Sequence, residues 1–318
     1  MLMAVKLAVV QAPPVLLDRA ATIALICERM AEVAAAGATM VVFPEAYIPG
    51  YPTWVWRLKP GGDMALSGEI HARLREQSVD IIRGDLDPIR AASARLGLTT
   101  VCGMHERDAE FSGTTLFNTV VVIGPDGALL NRHRKLMPTN PERMIWGTGD
   151  ASGLRVVDTP AGRIGTLICW ENYMPLARYG LYAQNLDILV APTWDCGDEW
   201  VASMRHIARE GGCWVVATGT AIETSDIPES FPGRAALFPF DEWLCDGGAL
   251  VVRPMGKIEA GPLNRDKRIL YADIDPEAAA RARRSLDVTG HYARPDIFRL
   301  SVDRGSRPPV TFTEGPAG

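Results

Sequence analysis

The order of strands and helices constrains this fold most, because a strand–helix–strand unit occurs twice and ends in the same way each time. In the first unit a buried strand, Met40–Phe43, runs into Pro44-Glu45. In the second unit the strand Asp187–Ala191 runs into Pro192-Thr193. Short apolar strands that alternate with amphipathic helices are typical of α/β proteins. The repeat therefore predicts two related layers, each a sheet with helices on its outer face.

The same alternation continues along most of the chain. Predicted strands are Lys6–Gln11, Met40–Phe43, Thr99–Met104, Asn118–Ile123, Arg163–Cys169, Asp187–Ala191, Cys213–Thr218, Ala249–Arg253 and Arg268–Ile274. Predicted helices run from the N-cap Asp18 to Gly37, twice between the irregular loop 51–67 and Gly97, over Leu176–Ala183, from the N-cap Asp198 to Gly211, and over Pro276–Leu286. Because no linker interrupts this pattern, we expect one domain over residues 1–318, with an irregular tail from about residue 287.

The composition excludes several classes of protein. The chain has 318 residues, of which 47% are hydrophobic, and its 33 Lys and Arg against 38 Asp and Glu give a formal net charge of −5. These are the values of an ordinary globular chain, and they exclude a disordered chain and a strongly cationic nucleic-acid binder. No apolar run approaches the roughly 18 residues of a membrane-spanning helix. We therefore expect neither a nucleic acid nor a membrane as a partner.

The cysteines and the N-terminus predict a cytoplasmic location. Six cysteines are spaced irregularly, without a Cys-x-x-Cys pair, and a chain of this length needs no disulfides for a stable core. The apolar run Leu7–Val10 is too short for the core of a signal peptide. A reducing compartment fits both observations.

Three reactive side chains stand where apolar strands end, which is where ligands bind in α/β proteins. Glu45 follows VVFP, Lys135 lies in NRHRKLMPT, and Cys169 ends RIGTLIC. A thiolate is a strong nucleophile, a carboxylate transfers protons, and an ammonium stabilises charge on the attacked atom. Each residue alone also fits an ordinary role, as a core thiol, a turn carboxylate or a solvated lysine. Thiol hydrolase chemistry needs all three in one pocket.

The surrounding sequence strengthens the functional interpretation. The strings FPEAYIPGYP, HRKLMPT and RIGTLICWENYMPLAR, in this order, closely resemble the three signature blocks of the nitrilase superfamily. The resemblance continues through APTWD, MRHIAREG and DVTGHYARPD, so it covers roughly residues 4 to 300. CWENYMPLAR and GHYARPD are similar to the nitrilase branch rather than the amidase or carbamoylase branches. The resemblance implies a four-layer αββα sandwich.

The resemblance also implies roles for individual residues. Cys169 would be the nucleophile, Glu45 the general base and acid, and Lys135 the cation beside the tetrahedral intermediate. Glu142, in PERMIWG, matches a second glutamate that holds the lysine and helps to position the substrate, although alone it fits an exposed helix start. The backbone N–H of Trp170, directly after the nucleophile, would add a donor for developing negative charge.

Aromatic and polar residues that flank these motifs are candidates for the substrate pocket. The predicted lining residues are Trp170, Tyr51, Tyr173, Thr139, Trp194 and Trp54. Aromatic walls suit an apolar nitrile, but aromatic residues near strand ends also serve as ordinary core. Cys196 and Cys213 lie in no motif, and we interpret both as core or incidental.

No cofactor or metal is expected. The chain has no Gly-x-Gly-x-x-Gly motif and no phosphate-binding loop, so no nucleotide cofactor is implied. His133, His206 and His291 lie far apart and lack metal-ligand spacing. These histidines are interpreted as structural.

The resemblance implies a nitrilase that converts an aliphatic or arylaliphatic nitrile into a carboxylic acid and ammonia, through a thioimidate and a thioester on the cysteine. An amide-cleaving enzyme with the same three residues is the nearest alternative. Release of the amide, as in a nitrile hydratase, is a variant of the same reaction. A non-enzymatic assembly protein is the alternative from a different class.

The superfamily tends to assemble into homo-oligomers by pairing helices outside the sandwich. Residues 174–184 and 198–211 match the segments used for the first pairing. We therefore expect a homo-oligomer, a dimer or larger, whereas the chain's end soon after GHYARPD argues against long filaments.

Overall fold

Two six-stranded sheets face each other in the computed structural model, which describes residues 5–59, 61–108, 112–305, 310 and 313. The strands are β1 Val5–Val10, β2 Met40–Val42, β3 Thr99–Arg107, β4 Leu116–Ile123, β5 Leu129–Arg134, β6 Val157–Thr159, β7 Gly162–Thr166, β8 Ile188–Pro192, β9 Trp214–Thr218, β10 Ala221–Glu223, β11 Trp243–Asp246, β12 Leu250–Val252, β13 Ile258–Ala260 and β14 Ile269–Ile274. The α-helices are α1 Arg19–Ala35, α2 Met64–Gln77, α3 Asp87–Leu96, α4 Pro175–Tyr182, α5 Asp198–Glu210, α6 Arg234–Leu237 and α7 Glu277–Arg283.

Both large sheets follow one plan. The first has the strand order β14-β1-β2-β3-β4-β5, and the second β13-β12-β9-β8-β7-β6. Each has three parallel strands at its centre, β1-β2-β3 in one and β7-β8-β9 in the other. Antiparallel strands complete both edges, one on one side and two on the other. The predicted pair of related layers is confirmed.

Alternate side chains of each sheet point into a shared core. Leu7 and Val9 of β1 belong to one buried cluster with Ile164 of β7 and Val190 of β8. Residues two apart on a strand lie on the same face, so this face of each sheet meets the other sheet. The two sheets therefore pack face to face.

Helices cover the outer faces of both sheets. Ala8, on the opposite face of β1, shares a buried cluster with Ile26 of α1 and Ile89 of α3. On the second sheet the outer cluster contains Leu181 of α4 and Met204 of α5. The layers follow the order helix, sheet, sheet, helix, which is the αββα sandwich that the sequence predicts.

The strand predicted to end at Cys169 is shorter than expected. β7 ends at Thr166, and Cys169 instead begins a 3₁₀ turn, Cys169–Tyr173. The Asn172 amide donates to the carbonyls of Leu167 and Cys169, both at 2.8 Å. These local side-chain hydrogen bonds take the place of hydrogen bonds to a neighbouring strand. The prediction of a strand through Cys169 was therefore wrong.

Two further local predictions were wrong. Asp198 is the first residue of α5 rather than its N-cap, which is Gly197 without a side-chain hydrogen bond. A carboxylate in the first turn still favours the helix through the helix dipole. The segment 51–67 is not wholly irregular, because it contains the 3₁₀ turn Thr53–Trp56 and the start of α2.

After α7 the described residues up to 305 form no helix or strand, as predicted for the tail. No helix in the described ranges is long and apolar enough to cross a membrane.

A close backbone contact connects β3 with the segment that carries Glu45. A Cβ atom added at Gly103 would lie 2.2 Å from the Pro44 oxygen and 2.8 Å from the Ala46 nitrogen. We expect Gly103→Ala to destabilise the protein by about 1–3 kcal/mol, because backbone atoms must move to admit the methyl group. Urea unfolding measures this change.

Gly68→Ala is the matched control for this substitution. Gly68 lies in α2, and nothing lies within 4 Å of the position of its added Cβ. Since alanine favours a helix over glycine, this variant should be neutral or more stable by up to about 1 kcal/mol. Equal unfolding midpoints for the two variants would contradict the close approach of β3 to Glu45.

Candidate active site

Glu45, Lys135 and Cys169 converge at the ends of their strands. Glu45 follows β2, Lys135 directly follows β5, and Cys169 follows β7. All three are buried, with exposed fractions of 2%, 1% and 4%. The Lys135 Nζ lies 2.8 Å from the Glu45 Oε1. The three residues that sequence analysis singled out therefore come from both sheets to one place.

Lys135 lies between two carboxylates. Its Nζ also donates to the Glu142 Oε2 at 2.8 Å, and it lies 5.9 Å from the centre of the Trp146 ring. Burial lowers the pKa of Lys135, but the negative charges on Glu45, Cys169 and Glu142 outweigh it and raise that pKa above its usual value. The ammonium therefore remains charged at neutral pH.

Glu45 uses its two carboxylate oxygens differently. Oε1 accepts hydrogen bonds from Lys135 and from the Asn118 Nδ2, the latter at 2.7 Å. Oε2 is buried and has no hydrogen-bond partner among the described residues. One oxygen thus fixes the side chain, and the other is available to a proton.

Burial and the second carboxylate change the acidity of Glu45. Burial raises its pKa, Lys135 opposes this, Glu142 adds to it, and the result is a pKa of about 7. Burial and the charge of Glu45 raise the pKa of the Cys169 thiol to about 12. At rest Cys169 is therefore a neutral thiol, and Glu45 is a carboxyl group that titrates near neutrality.

The backbone at Cys169 is strained, and neighbouring side chains hold it. Cys169 has φ of +55°, in the left-handed region that costs about 1–3 kcal/mol for residues other than glycine. The Asn172 amide holds its carbonyl, and the Thr193 hydroxyl donates to its sulfur at 3.3 Å. Because the 3₁₀ turn begins at Cys169, the Trp170 N–H lies in a first turn, whose N–H groups have no partner within the helix.

Glu171 connects the turn that begins at Cys169 to the segment that carries Lys135. Its carboxylate accepts the N–H groups of Ile168 and Leu136, both at 2.6 Å. It also lies 3.0 Å from the Nε2 of His133, and both side chains are fully buried. Ile168 precedes Cys169, and Leu136 follows Lys135. One carboxylate therefore sets the relative position of the two segments.

Tyr51 and Thr139 hold Glu142. The Tyr51 hydroxyl donates to the Glu142 Oε1, and the Thr139 N–H donates to Oε2, both at 2.7 Å. The Trp56 indole N–H donates to the Tyr51 hydroxyl at 3.2 Å. Glu142 is therefore not an exposed helix-start residue but a buried partner of the lysine.

A cavity of about 310 Å³ opens over Cys169. Its lining residues are Tyr51, Trp56, Thr139, Glu142, Cys169, Trp170, Trp194, Asp195, Cys196, Leu244 and Cys245. The rings of Tyr51 and Trp194 stack at 4.2 Å. Four of the six predicted pocket residues, namely Tyr51, Thr139, Trp170 and Trp194, therefore lie on its wall.

The other two predicted pocket residues lie elsewhere. Trp54 is 1% exposed, belongs to a core cluster, and packs against the Phe231 ring at 5.4 Å. Tyr173 is partly exposed and contacts the edges of the Trp170 and Trp200 rings. In the 3₁₀ turn 53–56, Trp54 enters the core and Trp56 lines the cavity, a difference that the sequence alone does not indicate.

The structure also adds residues that sequence reasoning missed. Asn118, Thr193, Trp56 and Asp195 contact or surround the reactive groups. A signal existed for Thr193, because Pro192-Thr193 repeats the Pro44-Glu45 pattern. For Asn118, the only signal in the sequence was a polar residue within a largely apolar strand.

Cys196 packs against a core cluster, as predicted, and also faces the cavity. It lines the cavity and is half-buried. Cys213, by contrast, is fully buried in the outer core of the second sheet, as predicted. Among the described residues no group of three or more histidine, cysteine or acidic side chains is arranged to hold a metal ion.

The fold and this set of groups define an αββα sandwich with a buried cysteine, glutamate and lysine where strands end. A family model described as carbon-nitrogen hydrolase matches residues 6–284. The chain belongs to the carbon-nitrogen hydrolase family.

Comparisons with individual proteins agree with this assignment. The chain is 42% identical over 299 residues to an aliphatic nitrilase of Sinorhizobium fredii, a match that covers 94% of this chain and 95% of that protein. It is 40% identical to a bifunctional nitrilase/nitrile hydratase, NIT4B, of Nicotiana tabacum, with 97% and 89% covered. A crystal structure of a carbon-nitrogen hydrolase from Helicobacter pylori has the same fold, with a TM-score of 0.71, 19% identity, and 93% and 97% covered.

Replacing Glu171 tests whether it positions Cys169 and Lys135. In Glu171→Gln an amide N–H₂ would face an N–H donor, so at least one buried hydrogen bond is lost at a cost of about 1–3 kcal/mol. We expect a lower thermal midpoint, together with a fall in kcat for the family reaction that exceeds any change in KM.

Glu28→Gln is the control, since Glu28 is an exposed carboxylate on α1. It should leave both the thermal midpoint and kcat unchanged. A Glu171→Gln protein that loses stability but keeps its full kcat would show that the contact is only structural.

Proposed function

We propose that this protein is a nitrilase that hydrolyses an aliphatic or arylaliphatic nitrile to the carboxylic acid and ammonia. The observation that supports it most is that Cys169 lines a cavity with aromatic walls, while the buried Lys135–Glu45 ion pair is close enough for both charges to act on its thiol. Membership of the carbon-nitrogen hydrolase family and about 40% identity to proteins named nitrilases support the same reaction class.

In the first step of the proposed reaction, the Cys169 sulfur attacks the nitrile carbon. The Glu45 Oε2 accepts the thiol proton and passes it to the nitrile nitrogen, so a neutral thioimidate forms without net loss of a proton. The free oxygen of Glu45 and its pKa of about 7 suit this exchange.

In the second step, water adds to the thioimidate carbon with Glu45 as the base, and a tetrahedral intermediate forms. Lys135 and the Trp170 N–H stabilise negative charge there. Protonation of the nitrogen lets ammonia leave, which gives a thioester. A second water then hydrolyses the thioester, releases the acid and restores the Cys169 thiol.

A different product can form from the same intermediate. If the carbon–sulfur bond breaks before the carbon–nitrogen bond, the amide is released instead of the acid. This outcome is worth measuring, because relatives named bifunctional nitrilase/nitrile hydratase match nearly the whole chain. Two competing functions remain, namely amide cleavage by the same residues and a non-enzymatic assembly role.

Product analysis tests the proposed reaction. Aliphatic, arylaliphatic and aromatic nitriles are each incubated with the protein, and acid, amide and ammonia are quantified. We expect acid and stoichiometric ammonia from at least one of the first two classes. Cys169→Ala should abolish turnover, because no other side chain replaces the nucleophile.

Cys213→Ser is the control, as a second buried cysteine outside the cavity. It should retain turnover if it folds, which circular dichroism checks. If the protein releases ammonia from simple amides but from no nitrile, it is an amide-cleaving enzyme. If it turns over neither nitriles nor amides, the result supports the assembly role.

The titration of Glu45 predicts the pH dependence. As a base Glu45 must be ionised, so kcat/KM should rise with pH through about 7. Glu142→Gln removes a negative charge that raises the pKa of Glu45, so its rising limb should move to lower pH. Glu45→Gln should lose about 10²–10⁴-fold in kcat. A rising limb that Glu142→Gln leaves unmoved would contradict this role of Glu45.

We further propose a cytoplasmic homo-oligomer. The six cysteines are free, which suits a reducing compartment. Leu176, at the start of α4, is 67% exposed, and Phe298 in the tail is 76% exposed. Leu176 lies in one of the two segments that match the paired helices of the family, and a second copy would cover it there. Light scattering tests it, and the mass of a single chain would exclude the oligomer.

A further inference from the structure

Two cysteines that the proposed reaction does not use lie on the wall of its cavity. Cys196 follows β8 in the segment 193–196, and Cys245 lies within β11. Both line the cavity together with Cys169. Cys245 is 5% exposed, whereas Cys196 is half-buried and accessible from the cavity side. Cys196 lies close to the chain that follows Cys245, because its Cβ is 3.5 Å from the position that a Cβ atom at Gly248 would take.

The two sulfurs have different surroundings. The Cys245 thiol and the backbone N–H of Asp246 both lie where they favour the ionised form of Cys196. The Cys245 thiol also lies 3.5 Å from the carbonyl oxygen of Trp194. The surroundings of Cys196 thus favour a thiolate, and Cys245 is one of the groups that contribute to this. This arrangement pairs an attacking sulfur with a neighbouring thiol that can resolve the product.

The acidities of the cavity thiols agree with this geometry. The Cys245 thiol is the largest influence that lowers the pKa of Cys196, to about 7. Cys196 and burial raise the pKa of Cys245 well above its usual value. Because the pKa of Cys169 is also raised, Cys196 carries more thiolate at neutral pH than the proposed nucleophile.

We propose that Cys196 and Cys245 are a site of reversible oxidation, which forms a disulfide in the cavity wall when the protein meets hydrogen peroxide. The Cys196 thiolate attacks one peroxide oxygen, and the other oxygen leaves as hydroxide and becomes water. The Cys245 sulfur then displaces hydroxide from the resulting sulfenic acid. In sum, two thiols and one peroxide give one disulfide and two waters.

The disulfide would act on the reaction through the segment 193–196. Thr193 donates to the Cys169 sulfur at 3.3 Å, and the Asp195 N–H donates to the Thr193 hydroxyl at 2.8 Å. The Asp195 carboxylate also accepts the Trp170 indole N–H at 2.8 Å. A bond between Cys196 and Cys245 replaces the contact of Cys245 with the Trp194 carbonyl and moves this segment. We therefore expect oxidation to lower turnover, an effect that rests on the proposed function.

Peptide mapping tests the chemistry without any assay of turnover. The reduced full-length protein is treated with hydrogen peroxide near neutral pH, blocked with iodoacetamide and digested without reductant. We expect a peptide pair joined through Cys196 and Cys245, which dithiothreitol separates. In Cys245→Ser, which lacks the resolving thiol, dimedone should trap a sulfenic acid on Cys196.

Cys27→Ser is the matched control, because Cys27 is the other half-buried cysteine and lies on α1, away from the cavity. It should form the same disulfide as the unchanged protein, whereas Cys196→Ser should form none. Oxidation of Cys169 before Cys196, or the absence of the joined peptides, would overturn the proposal.

Turnover supplies the second readout, with each protein compared with itself before peroxide. The unchanged protein and Cys27→Ser should lose most of their nitrile turnover and regain it with dithiothreitol. Cys196→Ser should lose much less over the same time. A disulfide that forms without a change in turnover would overturn the regulatory effect. If no nitrile is hydrolysed at all, the proposed function fails, while the peptide map still decides whether the disulfide forms.

Discussion

The buried ammonium of Lys135 between Glu45 and Glu142 is the interaction on which the rest of the site depends. Three charged groups in a dry interior are stable only if each is paired, because removal of one partner costs about 3–5 kcal/mol. One cation cannot neutralise two carboxylates, so burial and Glu142 raise the pKa of Glu45 to about 7. The same arrangement that satisfies the lysine therefore produces a carboxyl group able to exchange protons at neutral pH.

The surrounding architecture fixes the position of this charged cluster relative to Cys169. Lys135 belongs to the first sheet and Cys169 to the second, so no single element positions both. Glu171 joins the segments by accepting N–H groups next to each residue. Cys169 holds a positive φ in a turn fixed by Asn172 and Thr193. The facing sheets bring the reactive groups together, and side-chain hydrogen bonds set their relative positions.

Sequence reasoning predicted the layered fold well and named four residues that the structure brings together, and its errors concern local geometry. The two central parallel triplets follow from apolar runs separated by helical segments, and the motifs identified Glu45, Lys135, Cys169 and Glu142, whose roles remain proposals. The end of β7 was misplaced because Asn172 and Glu171 take over backbone groups that would otherwise extend the strand. Trp54 was assigned to the pocket because it lies near the Glu45 motif in the sequence. The sequence does not indicate which way its side chain points.

The sequence by itself determined two related layers of strands and helices, the resemblance to the family, and the residues proposed to carry the catalytic chemistry, because hydrophobic periodicity and motifs are features of consecutive residues. Only the tertiary structure decided which groups meet. The approach of Cys196 to Cys245 depends on how the segment 193–196 and β11 meet at the cavity, and Tyr51 reaches Glu142 from a segment 91 residues away. Such contacts arise from the packing of the whole chain, so no local pattern predicts them.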